Sequence, residues 1–431
     1  MDEFLDRKTR PELVGFGDMK IPEIRTVTTV SGCQLYVLPN DGADVVRLYS
    51  VWPRGLYNSG NLEAQILLPT LLEDGTENSD GDKITGTLDF NGATVTGFSN
   101  TYATHLCLTS ISKNFSSLLP LFEDMILNPT FPEDSLKRKA NALKTQVEVG
   151  MTSLSYIAAK ESASQVWGKN HPVSRSIDPE NLGSLKRTDI VAAHNKLCSC
   201  RPDFWIAGNI DESIISETKK MIDSYAGKTD FSVFNQEFYP LEAQPASTKV
   251  VEVIGKGQSC IVATLPTIGF NHPDYYALMI AVTHLGGYFN SRLNMNIREE
   301  KGLTYGVQAM VSTSAEGSFI TIRCQTRSGN EELVIGEIKK EMLGLATEKP
   351  TDQEMKSVTN SIEGSLASSL DSVFTTVSML ITNKYNGLPV SDFDRRLMVA
   401  RNISAEEISA IAEKYLSPEN LSITIAKGVQ E

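Results

Sequence analysis

Gln34-Leu-Tyr-Val-Leu38, the turn Pro39-Asn-Asp-Gly42 and Val45-Val-Arg-Leu-Tyr-Ser-Val-Trp52 are two β-rich stretches bounded by turn residues, the pattern of a hairpin. The same design returns in the second half of the chain as Lys249 to Ile254, the turn Gly255-Lys-Gly257 and Cys260 to Leu265. Later landmarks keep a nearly constant offset. Pro132 and Pro350, 218 positions apart, each open a long helical stretch, and Pro172 and Pro389, 217 apart, each end one. Ile190 in Thr188-Asp-Ile-Val-Ala-Ala and Ile408 in Ser404-Ala-Glu-Glu-Ile follow an N-capping hydroxyl or acid, again 218 apart. Closing strands come next, Phe204 to Ala207 before Gly208 and Leu421 to Ala426 before Gly428.

A register kept over this many elements predicts two homologous domains. Strands in consecutive hairpins and helices in runs predict the α+β class: two αβ sandwich domains, each a mostly antiparallel sheet packed against helices. Residues 1–226 are expected to form the first domain and 249–431 the second. Residues 227–248, with Pro240, Pro245 and little helical periodicity, are expected to form an extended linker.

The chain has 431 residues, about three ordinary domain lengths, of which 41% are apolar and 22% charged, as in a folded globular protein. Its net charge of −13 opposes binding to nucleic acid or anionic membranes, which are held by clustered Lys and Arg. The six cysteines form no CxxC and no regular framework, so they read as reduced cytosolic thiols. Met1 to Arg10 lacks an apolar signal region, and the most apolar run, Ala277 to Leu285, is less than half of the ~20 residues that cross a bilayer.

Self-sufficient catalytic machinery is missing. The five histidines, His105, His171, His194, His272 and His284, never fall within four residues of one another, so no helix face presents two imidazoles to one ion. His171 and His272, each before a proline, read as turn residues, and His105 as a strand residue. The nearest thing to a thiolate–imidazole cluster, His194 with Cys198 and Cys200, has the wrong spacing and reads as the buried end of a helix. There is no Walker loop, no GxSxG elbow and no HExxH.

The segment Leu285-Gly-Gly-Tyr-Phe-Asn-Ser-Arg-Leu-Asn-Met-Asn-Ile-Arg-Glu-Glu-Lys-Gly-Leu-Thr-Tyr-Gly-Val307 closely resembles the carboxy-terminal signature of the pitrilysin/insulinase family of zinc metallopeptidases. The resemblance implies two homologous αβ domains over nearly the whole chain. It also implies, in active members, an inverted zinc motif, His-x-x-Glu-His, followed four residues later by Gly-Thr. Gly75-Thr76 is kept here, which places Ile66, Pro69 and Thr70 where the two metal ligands and the general base would stand. The third ligand falls near Gln146, with Glu148 close by. Ile lacks a donor atom, Pro a usable side chain, and Thr is a poor zinc ligand.

Arg298 and Tyr305 match an Arg/Tyr pair that active members use to hold the substrate backbone near the scissile bond. A guanidinium fork and a phenol can grip a peptide carbonyl and stabilise the oxyanion formed on hydrolysis. The resemblance thus implies a non-catalytic, substrate-binding subunit, inactive alone and metal-free. It would pair with a homologous subunit that carries zinc, act on peptides or unfolded polypeptide segments, and work in a bacterial cytoplasm, or in the periplasm if a signal peptide has been removed. The alternative is a purely structural or assembly subunit. An independent peptidase is the least favoured reading, since no nucleophile and base pair is visible.

Overall fold

The computed structural model describes residues 15–430 apart from 233, 236–238, 240, 242, 243 and 314–316. Residues 1–14, which include Met1 to Arg10, and seven positions of the expected linker, Pro240 among them, lie outside the described residues.

The first half contains β1 (Arg25–Thr28), β2 (Gln34–Pro39), β3 (Val45–Trp52), α1 (Leu62–Leu71), α2 (Gly81–Phe90), β4 (Thr94–Ser99), β5 (Thr104–Ile111) and α3 (Ser112–Leu127). It continues through α4 (Glu133–Gly150), α5 (Leu154–Trp167), α6 (Pro179–Ser184), α7 (Arg187–Cys198), β6 (Asp203–Gly208) and α8 (Glu212–Gly227). The second half contains β7 (Thr248–Ile254), β8 (Gln258–Thr267), α9 (Tyr275–Val282), β9 (Val307–Thr313), β10 (Ser318–Arg327) and α10 (Glu331–Thr347). It ends with α11 (Asp352–Leu370), α12 (Val373–Tyr385), α13 (Asp392–Asn402), α14 (Ala405–Tyr415) and β11 (Ser422–Val429). The architecture is α+β, with two sheets ordered β1-β2-β6-β3-β5-β4 and β7-β11-β8-β10-β9.

The two hairpins expected from the opening strands do not form. In each half the closing strand inserts between them: β6 runs parallel to β2 and antiparallel to β3, and β11 runs parallel to β7 and antiparallel to β8. The other pairings are antiparallel. β6 and β11 are buried along almost their whole length, which a central strand covered on both faces satisfies and a strand at the sheet edge does not. Close passage of the chain demands glycine here. Gly208 has φ +118, and a Cβ on it would lie 2.0 Å from the Val45 carbonyl oxygen. At the matching place, a Cβ on Gly428 would lie 2.1 Å from the Gln258 carbonyl oxygen.

The helix starts follow local chemistry. Thr351 opens α11 and Ser404 opens α14, each through a capping box with the Glu three residues on. For α7 the expected cap, Thr188, lies inside the first turn. The Lys186 N–H is satisfied instead by Asp189 Oδ2 at 2.9 Å.

Each long helical stretch proves to be two helices, and the second of each pair crosses to the other half. One face of the first sheet carries Leu35, Val46, Leu48, Leu106 and Phe204 into a core with α1, α3 and α8. Its opposite face, with Leu38, Tyr49, Val51, Trp205 and Ala207, is covered by Val373, Val377, Leu380 and Ile381 of α12. Burying four such side chains contributes roughly 6–12 kcal/mol, an upper estimate at about 1.5–3 kcal/mol each. Reciprocally, Leu154 and Ala158 of α5 cover Cys260, Val262 and Ala426 of the second sheet. Polar ties fix both crossings. Lys384 Nζ lies 2.6 Å from Asp203 Oδ2, and Gln165 Nε2 donates to Ser247 Oγ at 2.8 Å.

The apolar run Ala277 to Leu285 is α9 and the π-helical Thr283–Gly287, much of it packed into the second core through Leu278, Ile280, Val282 and Leu285. Among the described residues no helix is long and apolar enough to cross a membrane.

Candidate functional site

The helix that would carry a zinc motif is α1. Asn61 caps it, its Oδ1 accepting from the Ala64 N–H at 2.9 Å. Pro69 sits inside the helix and has no N–H to give the carbonyl one turn back at Gln65. That carbonyl accepts instead from Ser99 Oγ at 2.9 Å, while Gln65 Nε2 donates to Thr104 Oγ1 at 2.8 Å. α1 is thereby tied to the edge strand β4 and its neighbour β5. The approach is close, since a Cβ on Gly97 would come 2.4 Å from the Pro69 carbonyl oxygen.

Ile66 is half-buried and Pro69 buried. The Thr70 hydroxyl turns back to donate to the Leu67 carbonyl at 2.7 Å. From α4 the side chain that reaches this end of α1 is Lys139. Its ammonium donates to the Thr70 carbonyl and lies 2.7 Å from Asp74 Oδ2 and 3.8 Å from Glu73 Oε1. Gln146 lies two turns further along the same face of α4 and is exposed. Glu148 is exposed as well, 3.9 Å from Lys144. The three side chains at these positions are uncharged, and the carboxylates nearest them, Glu73 and Asp74, face the Lys139 ammonium, with no imidazole beside them to complete a zinc donor set among the described residues.

The histidines are committed elsewhere. His105, on β5, is stacked on Phe98 at 4.4 Å between ring centroids, and burial pushes its pKa down to about 4. His284 is likewise held at about 4, chiefly by burial, with its Nε2 3.5 Å from Glu354 Oε1. His194 Nε2 donates to the Ile126 carbonyl at 2.7 Å, with Cys198 Sγ 3.3 Å away. His171 Nε2 donates to the Tyr239 carbonyl, and His272 Nδ1 accepts from the Asp274 N–H in a turn. Among the described residues no group of three or more His, Cys, Asp or Glu could hold a metal ion.

Arg298 and Tyr305 flank the turn that joins the π-helical segment Asn294–Glu300 to β9. The turn is tightly framed. Gly302 has φ +61, and its N–H donates to the Arg298 carbonyl at 3.1 Å while the Leu303 N–H donates to the Ile297 carbonyl at 2.9 Å. Buried Asn294 clips the turn shut, donating from Nδ2 to the Val307 carbonyl at 2.9 Å and accepting the Val307 N–H at 3.1 Å. Thr304 Oγ1 donates to the Gln325 carbonyl at 2.6 Å and accepts the Gly306 N–H at 3.1 Å. With its backbone held on both sides, Tyr305 projects outward, 92% exposed.

Arg298 is partly buried, with its guanidinium carbon 4.3 Å from the Phe289 ring centroid and Nε 3.4 Å from Glu299 Oε1. Stacking on one face leaves the edge of a guanidinium able to donate to a carbonyl. The sequence reading did not single out Phe289, Asn294 or Thr304. All three lie inside the quoted signature, so its spacing contained the signal. Arg292, in the same signature, serves the scaffold instead: Nε donates to Glu354 Oε1 at 3.0 Å and Nη2 to the Glu348 carbonyl at 3.1 Å. Burial raises the Glu354 pKa, but the Thr351 N–H and Arg292 outweigh it and hold the carboxyl at about 2.

A family model described as insulinase (peptidase family M16) matches residues 67–179, and one described as peptidase M16 inactive domain matches residues 185–362. The chain is similar to an uncharacterized zinc protease, YmxG, of Bacillus subtilis (strain 168), with 23% identity over 351 residues that span 80% of this chain and 83% of that protein. It is also similar to the crystal structure of a peptidase M16 inactive domain from Pseudomonas fluorescens. That match has 21% identity and a TM-score of 0.83, and covers 95% of this chain and 99% of the other. A protease structure from Helicobacter pylori matches with 15% identity and a TM-score of 0.80, covering 95% of this chain and all of the other. At these identities the structural likeness establishes the fold.

Proposed function

Since the chain belongs to the pitrilysin/insulinase (M16) family and lacks that family's zinc ligands, we propose that it is the substrate-binding subunit of a heterodimeric zinc peptidase. A homologous partner holds the zinc and supplies the activated water, and this chain lends Arg298 and Tyr305 to the shared site. The observation that carries the reading is the contrast between the two halves. The zinc-motif positions are filled by Ile66, Pro69 and Thr70 beside the Lys139 ammonium, whereas Tyr305 stands exposed on a backbone clamped by Asn294 and Thr304. A scaffold role alone does not call for a rigidly presented, solvent-facing phenol.

In this reading residues 1–226 are the degenerate peptidase domain, 227–248 the linker and 249–431 the domain that contacts substrate. Arg298 donates to a peptide carbonyl, and Tyr305 donates to the oxygen that gains charge as water attacks. Neither subunit suffices, because the nucleophile and the donors that steady the transition state lie on different chains. The substrate is a peptide or an unfolded segment lying extended along a sheet edge, and β4 and β9 are among the strands that end their sheets. The compartment is the bacterial cytoplasm, in keeping with six unpaired thiols.

The test is hydrolysis of an unstructured peptide by this chain, by a zinc-motif homologue from the same genome, and by their mixture, with and without chelator. Activity confined to the mixture and lost to chelator is the expected result. Full activity of the homologue alone would assign this chain an assembly role, and activity of this chain alone would overturn the reading of α1.

A further inference from the structure

The two crossing helices are not equally well filled. Matched by the residues that face the sheets, Leu154 and Ala158 of α5 with Val373 and Val377 of α12, the buried Leu380 and Ile381 of α12 correspond to Glu161 and Ser162 of α5. With its smaller side chains α5 lies close over β8 and β11, and a hollow of about 270 Å³ remains beside it, against β8, β9 and β10. That is room for a side chain about the size of phenylalanine. Its walls include Trp167, whose ring centroid lies 4.6 Å from that of Phe319, together with Val166 and Val262. At the mouth stands Arg323 on β10, exposed and with no ion pair among the described residues. Ser312, also in the lining, lies seven residues past Tyr305, roughly 20 Å of extended chain, whereas Arg323 pairs across the sheet with Gln308, three residues past Tyr305, so the hollow runs along β9 and β10 away from the Arg298/Tyr305 turn.

An apolar wall with a guanidinium at the rim that no described residue pairs is complementary to an apolar group that carries a carboxylate. We infer that this hollow binds the carboxy-terminal residue of a peptide, its apolar or aromatic side chain against Trp167 and Phe319 and its free carboxylate on Arg323. Identifying the ligand as a peptide rests on the substrate-binding reading above. The hollow itself does not need the partner subunit.

Binding can be read on the isolated full chain by tryptophan fluorescence, because Trp52 and Trp205 are buried and Trp167 alone borders the hollow. The probes are an N-acetylated octapeptide ending in phenylalanine, the same peptide with a carboxy-terminal amide, and octanoate. Saturable change with the acid peptide is expected, weakened about tenfold or more by amidation or by Arg323→Gln, since each removes one member of a charge-assisted pair. Ala163→Leu, which puts a larger side chain into the hollow from its α5 wall, should abolish binding while leaving the far-ultraviolet circular dichroism unchanged. Equal binding of acid and amide, or binding that survives Ala163→Leu, would overturn the assignment, and binding of octanoate but not of peptide would overturn the peptide ligand. If the peptide binds here but the reconstituted mixture is inactive, the subunit reading fails and the hollow stands. An active mixture with no binding removes the hollow alone.

Discussion

Removing one oxygen atom from Tyr305 tests the shared-site reading most directly. The side chain is 92% exposed, and the turn that presents it is held by Asn294 and Thr304 through backbone groups rather than by the phenol. Tyr305→Phe should therefore change stability by no more than about 0.5 kcal/mol, the range for surface substitutions, and leave Tm nearly unmoved. If the hydroxyl donates to the oxygen that becomes anionic in the transition state, its loss should cost about 2.7–4 kcal/mol there, a fall of roughly 10²–10³ in kcat. KM should change little, because the bond strengthens only as charge develops. The assay is steady-state hydrolysis of a fluorogenic peptide by the variant mixed with its zinc-bearing partner, with complex formation checked by analytical ultracentrifugation. A kcat within about twofold of the parent, with the complex intact, would refute the role given to Tyr305.

Other outcomes follow from the fold. Leu380→Ala removes a buried side chain of α12 and should cost about 2–5 kcal/mol; hydrogen exchange should show the loss in β2 and β6 of the other half, which α12 covers. Gly208→Ala would place a Cβ 2.0 Å from the Val45 carbonyl at φ +118 and should prevent the closing strand from seating, seen as loss of soluble folded protein. His105 and His284 titrate near 4 when folded and near 6.5 when unfolded. The unfolded chain therefore binds more protons between these values, and stability should fall as pH drops from about 6.5 to 4, by up to about 3 kcal/mol for each histidine. Urea midpoints across that range measure the slope, and a flat profile would contradict the burial assigned to both rings. Atomic absorption of the purified chain should find no stoichiometric zinc.

Much of this molecule could be read along the chain. The repeat was legible because its markers are local: a proline that starts or stops a helix, a hydroxyl or acid that caps one, a glycine where backbones cross. The chemistry of Ile66, Pro69 and Thr70 was equally legible, since whether these side chains can bind a metal depends on their atoms and not on where they sit. Tertiary structure decided which buried face meets which. Nothing near Gln34 or Val45 announces that β6, more than 150 residues later, will separate β2 from β3. Nor does the apolar face of α12 say that its sheet is the one in the other half. An amphipathic helix specifies that a face must be covered but not by what, and the choice is made by the shape and area of every other face competing for it. The place of Lys139 beside Thr70, and the hollow left where α5 carries alanine and serine, are consequences of that packing and exist only once both halves are folded together.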